Sequence, residues 1–172
     1  MKNFKKSNRF LSWRTVSDEK RCVNCEQMDQ RIIEVKDALR FHPPLHLWCR
    51  CLLLFIQSLK AGEATDLGED GVDYWLKYFN KLPNNYVTKD FAKNYGWIPK
   101  KGNLNQVLPG HLIGGDIYYN SNGRLPSLPG RIWKEADLQY DGSYRGISRI
   151  LYSSDGLIFL TYDHYETFIE LC

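Results

Sequence analysis

Beyond residue 111 the chain divides into five short apolar or aromatic segments, 111–118, 131–137, 146–153, 156–162 and 167–171, separated by turn residues. Segments of that length and spacing read as strands. Asp155-Gly156 between Arg-Ile-Leu-Tyr-Ser and Leu-Ile-Phe-Leu-Thr is the sharpest hairpin cue, because both residues tolerate positive φ. Upstream, Val72, Trp75, Leu76 and Phe79 have the three-and-four spacing of an amphipathic helix over 72–81. Thr88 can cap a second helix through Asn94, and a helical turn over 103–107 would stop at Pro109-Gly110. Helices followed by an antiparallel sheet make an α+β layout.

Composition changes near residue 61. The stretch 61–70 is small, acidic and glycine-rich, with Leu67 as its one sizeable apolar group, and reads as a linker or loop. It separates residues 1–60 from 71–172. Residues 1–60 hold 12 Lys/Arg against 6 Asp/Glu, and residues 61–172 hold 11 against 14, so a total of +3 hides a basic first part and a C-terminal part at −3. Any attraction of the C-terminal part for a polyanion must therefore come from a local cationic cluster. Within residues 1–60, the segment 29–39 has helix-compatible apolar spacing at Ile32, Ile33, Val35 and Leu39, and Pro43-Pro44 breaks any regular element there. The longest apolar run, Cys51-Leu-Leu-Leu-Phe-Ile, falls far short of the ~18 residues that span a bilayer, so no membrane partner is expected. The basic start has no apolar stretch behind it. The expectation is an extracellular protein, or one delivered to a target-cell cytoplasm, by a route without a signal peptide.

Four of the five cysteines lie in the first third, as Cys22-x-x-Cys25 and Cys49-x-Cys51. That spacing is metal-like. Cys22, Cys25, His46 and Cys49 could complete a tetrahedral structural zinc site, with Cys51 as a competing ligand. A reduced thiol cluster, or a disulfide between Cys22 or Cys25 and Cys49 or Cys51, are the alternatives.

The last hundred residues carry one acid, one imidazole and three cations in order: Lys89, Glu135, Arg145, Arg149 and His164. A carboxylate and an imidazole can share the proton transfers of RNA cleavage, and the cations can hold a phosphate between them. The 2′-OH is a poor nucleophile at neutral pH, so the carboxylate must stay ionised, which adjacent guanidinium groups favour. The leaving alkoxide needs a proton, and His has the unperturbed pKa closest to physiological pH. Taken singly, each residue has a plainer reading: Glu135 as a solvated strand residue, Arg145 and Arg149 as surface partners of Asp137 or Asp141, His164 as an edge-strand histidine.

From about Gly71 to Phe168 the sequence resembles barnase and the related small bacterial guanyl-preferring ribonucleases. The resemblance rests on Lys-Leu-Pro-Asn-Asn-Tyr-Val-Thr-Lys (81–89), Gly-Trp (96–97), Lys-Gly-Asn-Leu (101–104) and Gly-Gly-Asp-Ile (114–117). Arg-Ile-Leu-Tyr-Ser-Ser-Asp (149–155) and Asp-His-Tyr-Glu-Thr-Phe (163–168) complete it. It implies N-terminal helices packed on a five-stranded antiparallel sheet, here preceded by a small Cys/His-rich module. It implies Glu135 as general base, His164 as general acid, and Lys89, Arg145 and Arg149 as transition-state cations. No cofactor is then needed, and a 2′,3′-cyclic phosphate is the product. Tyr165 and Asp116 fall on substrate-site positions, as do Tyr118, Tyr119, Asn120 and Asn122 of the base-recognition stretch. That stretch departs from the family's serine-asparagine-arginine-glutamate run: Asn120 is kept, Ser121 stands at the arginine and Asn122 at the carboxylate. A neutral amide oxygen accepts a weaker bond than a carboxylate, so a reduced or altered guanine preference is expected, unless backbone N–H groups already select the base. The resemblance also implies a barstar-like acidic inhibitor as partner beside RNA.

In the first third, Trp13-Arg-Thr, Cys22-Val-Asn-Cys25 and Pro43-Pro44-Leu45-His46-Leu47-Trp48-Cys49-Arg50-Cys51 are similar to the C-terminal end of phage Mu F-type head morphogenesis proteins over about 40 residues. Such segments also occur joined to toxin domains. The expected whole is an RNA-cleaving toxin with phage head or delivery proteins as further partners. The rival is a phage head-associated structural protein with an inactive ribonuclease domain. A non-catalytic RNA-binding module would not need Glu135 and His164.

Overall fold

The structure is a computed structural model describing residues 2–172. Its core is one mixed sheet of nine strands, in the order β2-β1-β3-β9-β8-β7-β6-β5-β4, with a few short helices. The C-terminal strands are β4 (Tyr86–Val87), β5 (Leu112–Tyr118), β6 (Trp133–Asp137), β7 (Arg149–Ser153), β8 (Ile158–Thr161) and β9 (Ile169–Leu171). The five from β5 to β9 run antiparallel in sequence order. The sheet does not end with them, and the expectation of five strands is corrected to nine. On one side β4 pairs parallel with β5. On the other, β9 pairs parallel with β3 (Leu52–Leu59), which continues antiparallel to β1 (Lys5–Arg14) and then β2 (Ile32–Glu34). Most of the apolar run 51–56 lies in β3 and pairs with β1, and the end of the same strand, Ser58 and Leu59, covers the β9 edge.

The segment 29–39 forms no continuous helix. Gln30 turns the chain at φ 63°, Ile32 and Ile33 pair with β1, and only Val35–Ala38 coil as α2, after α1 (Val23–Met28). Ile32 is buried by the strand pairing, so β-branched apolar residues that fit a helix face serve a sheet face instead. The helix expected over 72–81 is α3 (Val72–Phe79), ended by Asn80 in the left-handed conformation. Thr88 caps α4 (Lys89–Asn94) by accepting from the Phe91 N–H at 3.3 Å, and α5 spans Leu104–Val107. In the 155–156 turn only Gly156 adopts positive φ, so Asp155-Gly156 is not a turn with both residues left-handed.

The stretch 61–70 is a held loop. Buried Asp73, in the first turn of α3, accepts from the N–H groups of Gly62 (2.6 Å) and Ala64 (3.0 Å). Val72 and Leu76 of α3 pack with Ala136, Ile150, Leu160 and Ile169 on one sheet face. A second cluster joins Phe10, Ile32 and Ile56 of the first third to Leu125, Trp133, Leu151, Phe159 and Phe168. Among the described residues no helix is long and apolar enough to cross a membrane.

Candidate active site

Strand alternation sets the site. Glu135 and Asp137, two apart on β6, share a face, and both are buried. Glu135 Oε1 accepts from Lys89 Nζ at 2.6 Å, and its other oxygen accepts from the Tyr165 hydroxyl at 2.5 Å. Lys89 reaches it because α4 starts there, and the Lys89 N–H donates to the Asp116 carboxylate at 3.1 Å. Asp116 is aimed by a bulge: Gly114 faces Ala136, Asp116 faces Glu135, and Gly115 between them has φ 97°. Gly114 lets the strands approach this closely, since a Cβ there would lie 2.6 Å from Ala136 Cβ and 2.7 Å from Tyr86 Cδ1, so that a neighbour would have to shift.

Asp137 gathers two of the cations. Arg145 donates to it through Nε (3.0 Å) and Nη2 (2.6 Å), and Arg149 Nε lies 3.3 Å away. Arg149 is locked further by Nη1 donating to the carbonyls of Gly146 (2.6 Å) and Ser148 (2.8 Å). The pairing with Asp137 that serves as the plain reading of both arginines is therefore present. It fixes two guanidinium groups beside Glu135 with only one of them neutralised by Asp137. Asp137 itself is missed by a search for catalytic residue types, although the two-residue spacing from Glu135 was there to signal it.

His164 follows in the β8–β9 connection, its ring centroid 4.9 Å from that of Tyr165. Both residues have positive φ, 56° and 72°. Among the described residues the His164 side chain has no hydrogen-bond partner in the chain. Tyr165 stacks on Tyr118 with centroids 5.2 Å apart. The structure thus brings Lys89, Asp116, Glu135, Tyr118 and Tyr165 together, sets Arg145 and Arg149 on Asp137, and puts His164 next to Tyr165.

Electrostatics keeps Glu135 ionised. Burial pushes its pKa up, but the Lys89 and Tyr165 hydrogen bonds and the charges of Lys89 and Arg145 outweigh that, leaving it below the ordinary glutamate value. Burial, followed by the hydrogen bond to Glu135, raises the Tyr165 hydroxyl well above the usual range, so it stays a donor.

In the 119–125 loop, Asn120 is turned inward. Its amide donates to the Leu125 carbonyl (2.9 Å) and accepts from the Leu125 N–H (3.0 Å), closing the loop on itself. Asn122 Oδ1 accepts from the Arg124 N–H at 3.2 Å, and Tyr119 is exposed. A separate concavity of about 580 Å³, bordered by Thr65, Tyr86, Tyr140 and Tyr144, includes none of the five acid, imidazole and cation residues.

In the first third the cysteines are free thiols. His46 Nε2 lies 3.1 Å from Sγ of both Cys22 and Cys25, and Cys25 Sγ is 3.8 Å from Cys49 Sγ. His46 Nδ1 is 2.7 Å from the Leu47 carbonyl; donating there leaves Nε2 free as a ligand. Tetrahedral zinc with Zn–S of ~2.3 Å separates its sulfur ligands by roughly 3.8 Å. Cys22, Cys25 and His46 lie within 4.8 Å of one another and offer three donors to such an ion, while Cys49 stands with Cys25 and Cys51 in a second group of the same reach, so that Cys25 is shared between two sets of possible ligands.

A family model described as ribonuclease matches residues 73–172. The chain is 50% identical over 102 residues to a ribonuclease from Heyndrickxia coagulans, covering 59% of this chain and 94% of that protein. It is equally identical to ribonucleases from Bacillus intermedius and Bacillus pumilus, over 59% of this chain but only 63% of each of theirs. With the family match and the near-complete coverage of one relative set beside a buried, ionised glutamate ringed by cations, this chain belongs to the ribonuclease family and is an endoribonuclease.

Proposed function

We propose that the enzyme cleaves single-stranded RNA by metal-independent transphosphorylation at the Glu135 site. Glu135 takes the proton of the ribose 2′-OH as the O2′–P bond forms. The P–O5′ bond breaks, and His164 protonates the departing 5′ oxygen, leaving a 2′,3′-cyclic phosphate. Lys89, Arg145 and Arg149 neutralise the charge that accumulates on the phosphoryl oxygens between these events. In slower hydrolysis His164 takes a proton from water and Glu135 returns one to the 2′ oxygen. The observation that carries this reading is the Glu135 carboxylate, buried yet held ionised by Lys89 and Tyr165. Cleavage of a short labelled RNA in excess EDTA tests it: a cyclic phosphate from wild type, lost in Glu135→Ala and His164→Ala, is expected. Intact RNA with folded wild-type protein would overturn it.

Around that chemistry we infer two modules, 1–60 and 71–172, joined through 61–70, acting as an RNA-cleaving toxin. The first module's similarity to phage head proteins supports a packaging or delivery role, and the cationic site suits an acidic inhibitor of the barstar type. Co-expression of such an inhibitor should relieve toxicity to the producing cell; harmless high expression of active enzyme alone would count against the toxin role. The Cys22, Cys25, His46 and Cys49 group is proposed as a structural zinc site that stabilises the first module. About one zinc per chain, released by thiol modification, is expected; metal-free protein with an unchanged first module would exclude it.

A further inference from the structure

Arg124 belongs to neither the acid–base set nor the cations on Asp137, yet it joins three parts of the molecule. Its side chain is mostly buried, and Nη1 donates to the Tyr165 carbonyl at 2.6 Å and to Glu166 Oε2 at 3.1 Å. Its own carbonyl accepts from the Ile32 N–H of β2 at 2.7 Å. The preceding Gly123, at φ 63°, lies against the Arg31 guanidinium, 3.5 Å from where a Cβ would stand.

The carbonyl that Arg124 grips sits in a segment that does not hold its shape unaided. His164 and Tyr165 are successive non-glycine residues in the left-handed region, each at a cost of roughly 1–2 kcal/mol. Such a conformation persists only where its surroundings over-determine it. On one side Tyr165 N–H donates to Thr161 Oγ1 (2.9 Å), and Asp163 accepts from Thr161 Oγ1 and the Thr167 N–H (both 2.9 Å). Arg124 supplies the tie from the other side, out of the 119–125 loop.

We propose that Arg124 is a positioning residue for the general acid, holding the Tyr165 carbonyl so that His164 stands where it can protonate the departing 5′ oxygen. The proposal rests on the acid–base reading above. It also gives the first module a part in the reaction, because the Ile32 N–H fixes the backbone from which Arg124 reaches out.

Full-length Arg124→Met, Arg124→Lys and Glu166→Gln are compared with wild type on two substrates. One is a dinucleotide, whose alkoxide leaving group needs the acid. The other is the matching nucleoside 3′-(4-nitrophenyl phosphate), whose leaving group departs without a proton. Arg124→Met is expected to lower kcat on the dinucleotide about 10- to 100-fold, with KM within about threefold, and to cleave the 4-nitrophenyl ester within about threefold of wild type. Arg124→Lys recovers part of the loss, and Glu166→Gln, which removes only the exposed ion pair, leaves both rates unchanged. Thermal melting checks the fold. If Arg124→Met melts below the assay temperature, Arg124→Gln, which keeps a neutral donor on a shorter arm, reads the same ratio. Equal losses on both substrates, or no loss on the dinucleotide, would overturn the role of Arg124 alone. Wild type inert on both would overturn the acid–base reading and this role with it.

Discussion

Replacing Asp137 by Asn tests how the two arginines are held. The change keeps the shape and one acceptor but removes the carboxylate charge that pairs with both Arg145 and Arg149, whose side chains are 18% and 6% exposed. Breaking a buried ion pair by removing one partner costs about 3–5 kcal/mol. Here one carboxylate serves two guanidinium groups, but Arg145 keeps some access to water and Asn can still accept one bond. An expected loss of about 3–4 kcal/mol follows. With a urea m-value of ~2 kcal/mol/M, the midpoint falls by roughly 1.5–2 M. The vacated charge should then be replaceable from solution. Inorganic phosphate at about 100 times its Kd restores roughly 2.7 kcal/mol, and wild type should gain less, because Asp137 already neutralises one cation. The assay is urea unfolding of both proteins with and without phosphate, at constant ionic strength. A loss below ~1 kcal/mol, or equal phosphate stabilisation of the two, would refute the view that Asp137 supports both cations.

Three further outcomes are expected. In Lys89→Met the acidic limb of the kcat/KM profile moves up, because Lys89 is the leading group that holds the Glu135 pKa down; an unmoved limb would remove Lys89 from that role. The linked stability has a definite sign: with a depressed folded value, the Glu135 contribution is present above the unfolded pKa of ~4.3 and is lost as pH falls through the folded value. Asn122→Glu, which places a carboxylate in the 119–125 loop, should raise cleavage after guanine relative to the other bases in matched dinucleotides, and an unchanged ratio would show that the loop backbone alone selects the base. Gly114→Ala should cost about 1–3 kcal/mol in urea unfolding, since its Cβ meets Ala136 and Tyr86; full stability would mean that β5 and β6 are free to separate.

The strands of the last third were legible because each is short, apolar and bounded by turn residues, whereas the candidate site residues, each with a plainer reading when taken singly, stood out only through the ordered motifs that carry the resemblance. Local pattern failed where tertiary pairing decided. Ile32, Ile33 and Val35 fit a helix face, but β1 lies beside them and takes Ile32 and Ile33 into the sheet. Leu52–Leu59 carried no sign that its partner would be β9, more than 100 residues away. Asp137 could have been found from its spacing to Glu135. Arg124 could not, because nothing in its neighbourhood indicates that it will meet the carbonyl of Tyr165. Asn120 was legible by type but not by direction: its amide faces the loop's own backbone.

The parallel pairing of Ser58 with Glu170 and Leu59 with Leu171 bears on the order of assembly. Closing so long a stretch of chain is entropically costly, and β3 has no β9 edge to join until the antiparallel strands have formed. Docking of residues 1–60 is therefore expected late in folding, and their release early in partial opening. Native-state hydrogen exchange should show the Ile32 and Leu59 amides opening at lower free energy than those of β7, which is paired on both sides. An enzyme that loosens in that order loses its hold on the 119–125 loop while the Glu135 strand remains formed.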